Sequence, residues 1–105
     1  MTYQYAIQAL ADPRRRAILD TLRPGPKSVV EIAAVHPVSR PAVSQHLKIL
    51  QTAGLVKAHT AGTRRIYEIR REGLTGLRRY VESFWTDALD AFADHVTQLE
   101  TEKDI

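Results

Sequence analysis

A chain of 105 residues has room for one domain with its own core and not for two. Its 44% hydrophobic content is ordinary for a globular protein, no run nears the roughly 18 consecutive apolar residues of a membrane span, and the lack of cysteine excludes disulfides, thiolate metal sites and thiol nucleophiles. The net charge of +3 hides a division: residues 1–81 carry 14 of the 15 Lys and Arg against five acids, a charge of +9, whereas residues 82–105 carry seven acids against Lys103 alone, −6. A basic body suits a polyanionic partner, and an acidic end suits a place away from it. Met1 leads into Thr2-Tyr3-Gln4-Tyr5, without the basic start and apolar stretch of a secretory signal, so a soluble, cytoplasmic protein with no membrane partner is expected.

Tyr3, Ala6, Ile7 and Leu10 recur at helical spacing and predict a first helix over 3–11, stopped by Asp12-Pro13. Asp12 caps a second helix with Pro13 at its first position, where a missing N–H costs nothing, and Pro24-Gly25-Pro26 ends it. Ser28-Val29-Val30-Glu31 reads as a capping box opening a third helix through about Val35, with Ile32, Ala33 and Val35 expected to be largely buried. His36-Pro37-Val38 forms a tight turn, and Ser39 caps a fourth helix reaching about Ala53. Two short capped helices joined by a brief turn make a helix-turn-helix. Gly54 ends the fourth helix, and 55–60 and 64–70 read as strands of a hairpin around Ala61-Gly62-Thr63, the wing of such a fold. From about Glu72 to Leu99 helical periodicity returns through Leu74, Leu77, Val81, Phe84 and Ala88, and through Trp85, Leu89, Phe92, Val96 and Leu99. A helix of that length spans on the order of 40 Å. That is more than a domain of this size needs to cover its core, so the excess apolar stripe calls for a second chain.

The expected architecture is therefore mainly α with a small β-hairpin, a winged helix-turn-helix of about five helices and a two-stranded wing, functioning as a dimer. Residues 3–71 form the body and wing, 72–100 the dimerisation helix and 101–105 a tail.

On a helical wheel, Arg40, Pro41, Ser44, Gln45, Lys48 and Gln51 fall on one side of the fourth helix and Ala42, Val43, His46, Leu47, Ile49, Leu50 and Ala53 on the other. Arg pairs with guanine edges and Gln with adenine edges, while Ser and Lys hold phosphates or base edges, so the polar side has the chemistry of a helix that enters the major groove. Ser39 and the first-turn amides can face a phosphate. An ordinary wet amphipathic helix is the competing interpretation of the same wheel. The basic hairpin that follows, with Lys57, His59, Thr63, Arg64 and Arg65, shifts the balance toward nucleic acid. Arg64 and Arg65 point to opposite faces, so one of them is expected to contact DNA. His46 lies in the apolar arc and is expected to be a packed, hydrogen-bonded structural histidine. Arg14, Arg15 and Arg16 are open to either phosphate contact or intramolecular pairing.

The segments Leu10-Ala11-Asp12-Pro13-Arg14-Arg15-Arg16-Ala17-Ile18-Leu19 and Val38-Ser39-Arg40-Pro41-Ala42-Val43-Ser44-Gln45-His46-Leu47-Lys48, continued by Ala53-Gly54-Leu55-Val56 and the wing, resemble the ArsR family of bacterial repressors over about residues 3–100. The resemblance implies a homodimer on a partly palindromic double-stranded DNA operator, repressing until a signal weakens binding. It also implies dimerisation through the first and last helices, which places Tyr3, Ile7, Val81, Phe84, Trp85, Ala88, Leu89, Phe92 and Val96 in the interface. Metal-sensing members carry a Cys pair in the helix matching residues 31–36, where this chain has Glu31-Ile32-Ala33-Ala34-Val35-His36, so the chain looks like members without that site.

Asp87, Asp90, Asp94 and His95 supply oxygen and nitrogen donors but a single histidine, so no metal and no cofactor is expected. The alternative function is a metal- or small-ligand-responsive sensor with its effector between the terminal helices of the dimer, near Tyr80 and Trp85. Catalysis is not expected: Ser44 and His46 face different directions on one helix and leave no base aimed at a nucleophile.

Overall fold

The computed structural model describes residues 2–103. The chain runs α1 (Thr2–Leu10), α2 (Pro13–Thr21), β1 (Lys27–Ser28), α3 (Val29–Ala34), α4 (Arg40–Thr52), β2 (Val56–Ala61), β3 (Arg64–Ile69), a 3-10 turn (Arg71–Leu74) and α5 (Thr75–Lys103). Three of the helix starts are set by the caps that the sequence announces. Asp12 accepts from the Arg14 amide at 2.8 Å, Ser39 accepts from the Ala42 amide at 3.3 Å, and Ser28 and Glu31 exchange bonds at 3.2 and 3.0 Å in a complete capping box.

The sheet has three strands in the order β1-β3-β2, all antiparallel. The expected hairpin is present, with Ala61 opposite Arg64 across Gly62-Thr63. Beyond it, Lys27 and Ser28 pair with Tyr67 and Ile66, which fastens the start of α3 to the base of the wing. The helix-turn-helix and the wing thus share one framework, a link the two-stranded expectation lacked.

Ala6, Ala9, Ile18, Leu22, Ile32, Val43, Leu47, Leu50, Leu55, Val56 and Tyr67 form the core, so every element through β3 contributes an apolar side chain or borders one that does. Ser28 is also buried, and its capping bonds satisfy it. Val35, expected inside, is 66% exposed because it lies beyond the last turn of α3 as its C-cap. Ile49, placed on the packed side of α4, is 44% exposed at the edge of that arc.

The start of the last helix also differs from expectation. The chain first makes the 3-10 turn and then enters α5, which continues to Lys103, so residues 101–103 are helix rather than tail; residues 104 and 105 lie outside the described residues. Gly54 adopts φ +79° after α4, a left-handed conformation that glycine takes without strain. A β-carbon on Gly73 would overlap the carbonyl of Gly54, so the turn before α5 rests directly on the backbone that ends α4. Arg70 N–H donates to the Leu55 carbonyl at 2.9 Å and closes the same junction. The molecule measures 75 × 24 × 24 Å because α5 runs well past the body. No helix of the described residues is long and apolar enough to cross a membrane.

Candidate nucleic-acid interface

α4 is held by Val43, Leu47 and Leu50, each with no exposed surface, and this anchoring decides what its other side can do. At the 3.6-residue period, Arg40, Ser44, Lys48 and Gln45 follow one another along an arc that starts beside the anchor and ends opposite it, and all four are exposed, as are Ser39 and Pro41. The face therefore combines two cations, an amide and hydroxyls, and among the described residues none of these side chains is in an ion pair. The hydroxyl of Ser39 accepts from Ala42 and keeps its own proton for an external acceptor.

The surroundings of α4 are arranged by side chains whose roles the sequence left open or missed. Arg15 donates to the Ala9 carbonyl at 2.6 Å and the Gln8 carbonyl at 3.2 Å, and Arg16 donates to the Leu10 carbonyl at 2.7 Å. Both cations thus satisfy the free carbonyls at the end of α1, the intramolecular outcome, while Arg14 stays exposed. His36 Nε2 lies 2.8 Å from Thr21 Oγ1, whose proton goes to the Ala17 carbonyl, so the ring donates and ties the turn before α4 to α2. His46, expected to be packed and hydrogen-bonded, is half-buried, and its Nδ1 is buried without a partner among the described residues. The Asp12 carboxyl is held below its ordinary pKa by the Arg14 amide first and by the Arg15 charge after it. Glu31 is likewise lowered, by the Ser28 amide and hydroxyl and then by the charges of Lys27 and Arg64.

In the wing, Lys57, Thr63, Arg64 and Arg65 are all exposed, yet they are not equivalent. Lys57 sits opposite Glu68 in the ladder and pairs with it at 3.7 Å, which offsets its charge. Arg65 shares a strand face with Tyr67, donates from Nε to its hydroxyl at 2.9 Å and lies 5.6 Å from the ring centroid. Arg64 and Thr63 at the tip have no such tether among the described residues. The tether of Arg65 was open to sequence reasoning, since period-two alternation puts residues 65 and 67 on one face; the Lys57–Glu68 pair needs the strand register.

Of the residues assigned to a dimer interface, Val81, Phe84, Trp85, Ala88, Leu89 and Phe92 are exposed, Ile7 is 40% exposed, and Tyr3 and Val96 are half-buried. Tyr3 stacks on Tyr80 of its own chain at 4.8 Å between centroids, and Tyr80 meets Phe84 edge-on at 5.1 Å. This aromatic column joins α1 to α5 at the place where an effector pocket was expected.

Comparison with known proteins adds to this geometry. The family model described as "Bacterial regulatory protein, arsR family" matches residues 12–58. The chain is 56% identical over 88 residues to the HTH-type transcriptional regulator Rv2034 of Mycobacterium tuberculosis, covering 84% of this chain and 82% of that protein. It is 40% identical over 55 residues to the transcriptional repressor SdpR of Bacillus subtilis, covering 52% of this chain and 61% of that protein. Among solved structures it superimposes with a TM-score of 0.67 and 32% identity on the homodimeric winged helix-turn-helix DNA-binding domain (fragment 1–100) of Mb0332 from Mycobacterium bovis, over 85% of this chain and 82% of that one.

Proposed function

The chain belongs to the arsR family of bacterial regulatory proteins, and from that membership we propose that it works as a homodimeric transcriptional repressor reading a partly palindromic duplex DNA operator. One observation carries the reading: α4 shows Arg40, Ser44, Gln45 and Lys48 to solvent while Val43, Leu47 and Leu50 anchor the helix without any exposure. In this reading Arg40, Ser44, Gln45 and Lys48 meet base edges and phosphates in the major groove, with Ser39 and Pro41 at the helix entry. Thr63 and Arg64 reach the sugar-phosphate from the wing tip, with Arg65 braced behind them and Lys57 in a lesser role because Glu68 already neutralises it.

The second copy follows from α5. Its exposed Phe84, Trp85, Leu89 and Phe92 form an apolar stripe that a partner's α5 would cover, as in the homodimeric domain of the M. bovis protein. Two reading helices related by the dyad would then sit in successive major grooves about 34 Å apart. Repression, the role named for the B. subtilis relative, would follow from occupying promoter DNA.

The test is selection of bound duplexes from a random pool, followed by affinity measurements over a series of salt concentrations. The expected result is an enriched site with two half-sites about one helical turn apart and a log affinity that falls linearly with log salt. No enrichment, together with salt-independent affinity, would reject the reading.

A further inference from the structure

A cleft of about 720 Å³ opens where α2, the end of β3 and the start of α5 meet. Its floor is apolar, made by the half-buried Leu10, Leu19, Ile69 and Leu74, and its rim carries Arg16, Arg23, Arg71 and Arg78. Its size lies within the range of sites that hold small organic molecules, and its combination of an apolar floor with a few directed polar groups is what such sites share.

The rim's charge defines the occupant. Arg16 is committed to the α1 carbonyls, Arg23 meets Asp20 at 2.9 Å through Nε, and Arg78 meets Glu82 at 2.7 Å through Nε, a bond that also raises the Arg78 pKa. A guanidinium has more donors than one contact through Nε can use, so Arg23 and Arg78 retain capacity for another acceptor. Arg71 has no side-chain hydrogen bond or ion pair among the described residues. Four guanidiniums against two carboxylates leave a moderate positive surplus, which suits one carboxylate rather than a multiply charged phosphate, and the planar fork of Arg71 matches a carboxylate in shape.

We propose that this cleft is an effector site for an apolar carboxylic acid, its carboxylate held by Arg71 with Arg23 and Arg78, its hydrocarbon body lying on Leu10, Leu19, Ile69 and Leu74. The cleft is walled by the end of α1, by α2, by the foot of the wing and by the root of α5, and α2 in turn packs against α4, so its occupant alters how the reading head is set on the dimer helix. The effector role rests on the proposed DNA-reading function; occupancy of the cleft does not.

Calorimetry with decanoate on the full chain, without DNA, tests occupancy, with 1-decanol as the uncharged control. Saturable decanoate binding is expected, weakened about tenfold or more in the alcohol and in Arg71→Ala. Arg79→Ala, outside the cleft, should stay within about twofold of wild type. Absent saturation, equal affinity for the alcohol, or an unchanged Arg71→Ala overturns the site. Affinity for the selected duplex is then measured with and without saturating decanoate. A change of about threefold or more, lost in Arg71→Ala, is expected, and an unchanged affinity overturns the effector role. A chain that binds decanoate but no duplex removes the DNA-reading function and the effector role with it, and leaves the cleft standing as a carboxylate site.

Discussion

α4 and α5 are both amphipathic helices, and their apolar stripes meet opposite fates. In α4 the stripe is satisfied within the chain, with Val43, Leu47 and Leu50 fully enclosed. In α5 only the first turns touch the body, and Phe84, Trp85, Leu89 and Phe92 are between 58% and 68% exposed. Periodicity is equally clear in both and cannot say which stripe the chain's own core consumes. Length and charge can: α5 outruns the body and carries its acids, whereas α4 is short and the only charges on its free face are positive. A helix whose greasy side is used up internally is free to devote its polar side to recognition, and one whose greasy side is left over is built to pair.

The strongest way to break this contrast is to make the same truncation in both helices. Leu47→Ala should cost about 2–5 kcal/mol, lowering the urea midpoint at every protein concentration. Leu89→Ala should instead change how that midpoint depends on protein concentration, as loss of a subunit contact does. If both variants show the same concentration-independent loss, the leftover stripe is not an interface. A smaller effect sharpens the recognition side: Gln45→Ala should lose about 1–3 kcal/mol of discrimination at one base position of the selected site, read by comparing cognate and substituted duplexes. Equal loss on cognate and random DNA would remove Gln45 from base reading. Smaller again, Ser39→Ala should destabilise by about 1 kcal/mol through loss of the α4 cap, measured by thermal unfolding.

Acid should act on the head. Asp12 and Glu31 both have carboxyl pKa values below their ordinary 3.8 and 4.5, so the unfolded chain binds more protons than the folded one as pH falls through that range. The stability these caps supply is complete above the ordinary values and is lost as pH drops through the lowered ones. The slope of stability against pH below about pH 4.5 should flatten in Asp12→Asn and Glu31→Gln, followed by circular dichroism. An unchanged slope in the double variant would show that the caps do not set the acid limit.

Much of the head was legible because its boundaries are written in local chemistry. Asp12, the Ser28–Glu31 box and Ser39 each announce a helix start within four residues, and Gly62-Thr63 marks the hairpin. β1 was not legible, because two residues carry no periodicity and its pairing with Ile66 and Tyr67 depends on chain packing alone. The exposed face of α4 could be drawn from the wheel, while its edge could not: Ile49 lies where a few degrees of helix rotation decide contact. The Lys57–Glu68 pair and the guanidinium cleft are products of tertiary register, joining residues that no sequence window holds together.

The meeting of Gly73 with the Gly54 carbonyl bears on how motion could pass through the molecule. Side-chain contacts can absorb a shift by changing rotamer, but main chain against main chain has no such slack. The root of the pairing helix therefore behaves like a foot set against the heel of the reading helix, and a tilt in one becomes a push on the other. Any side chain at position 73 would act as a shim driven into that joint.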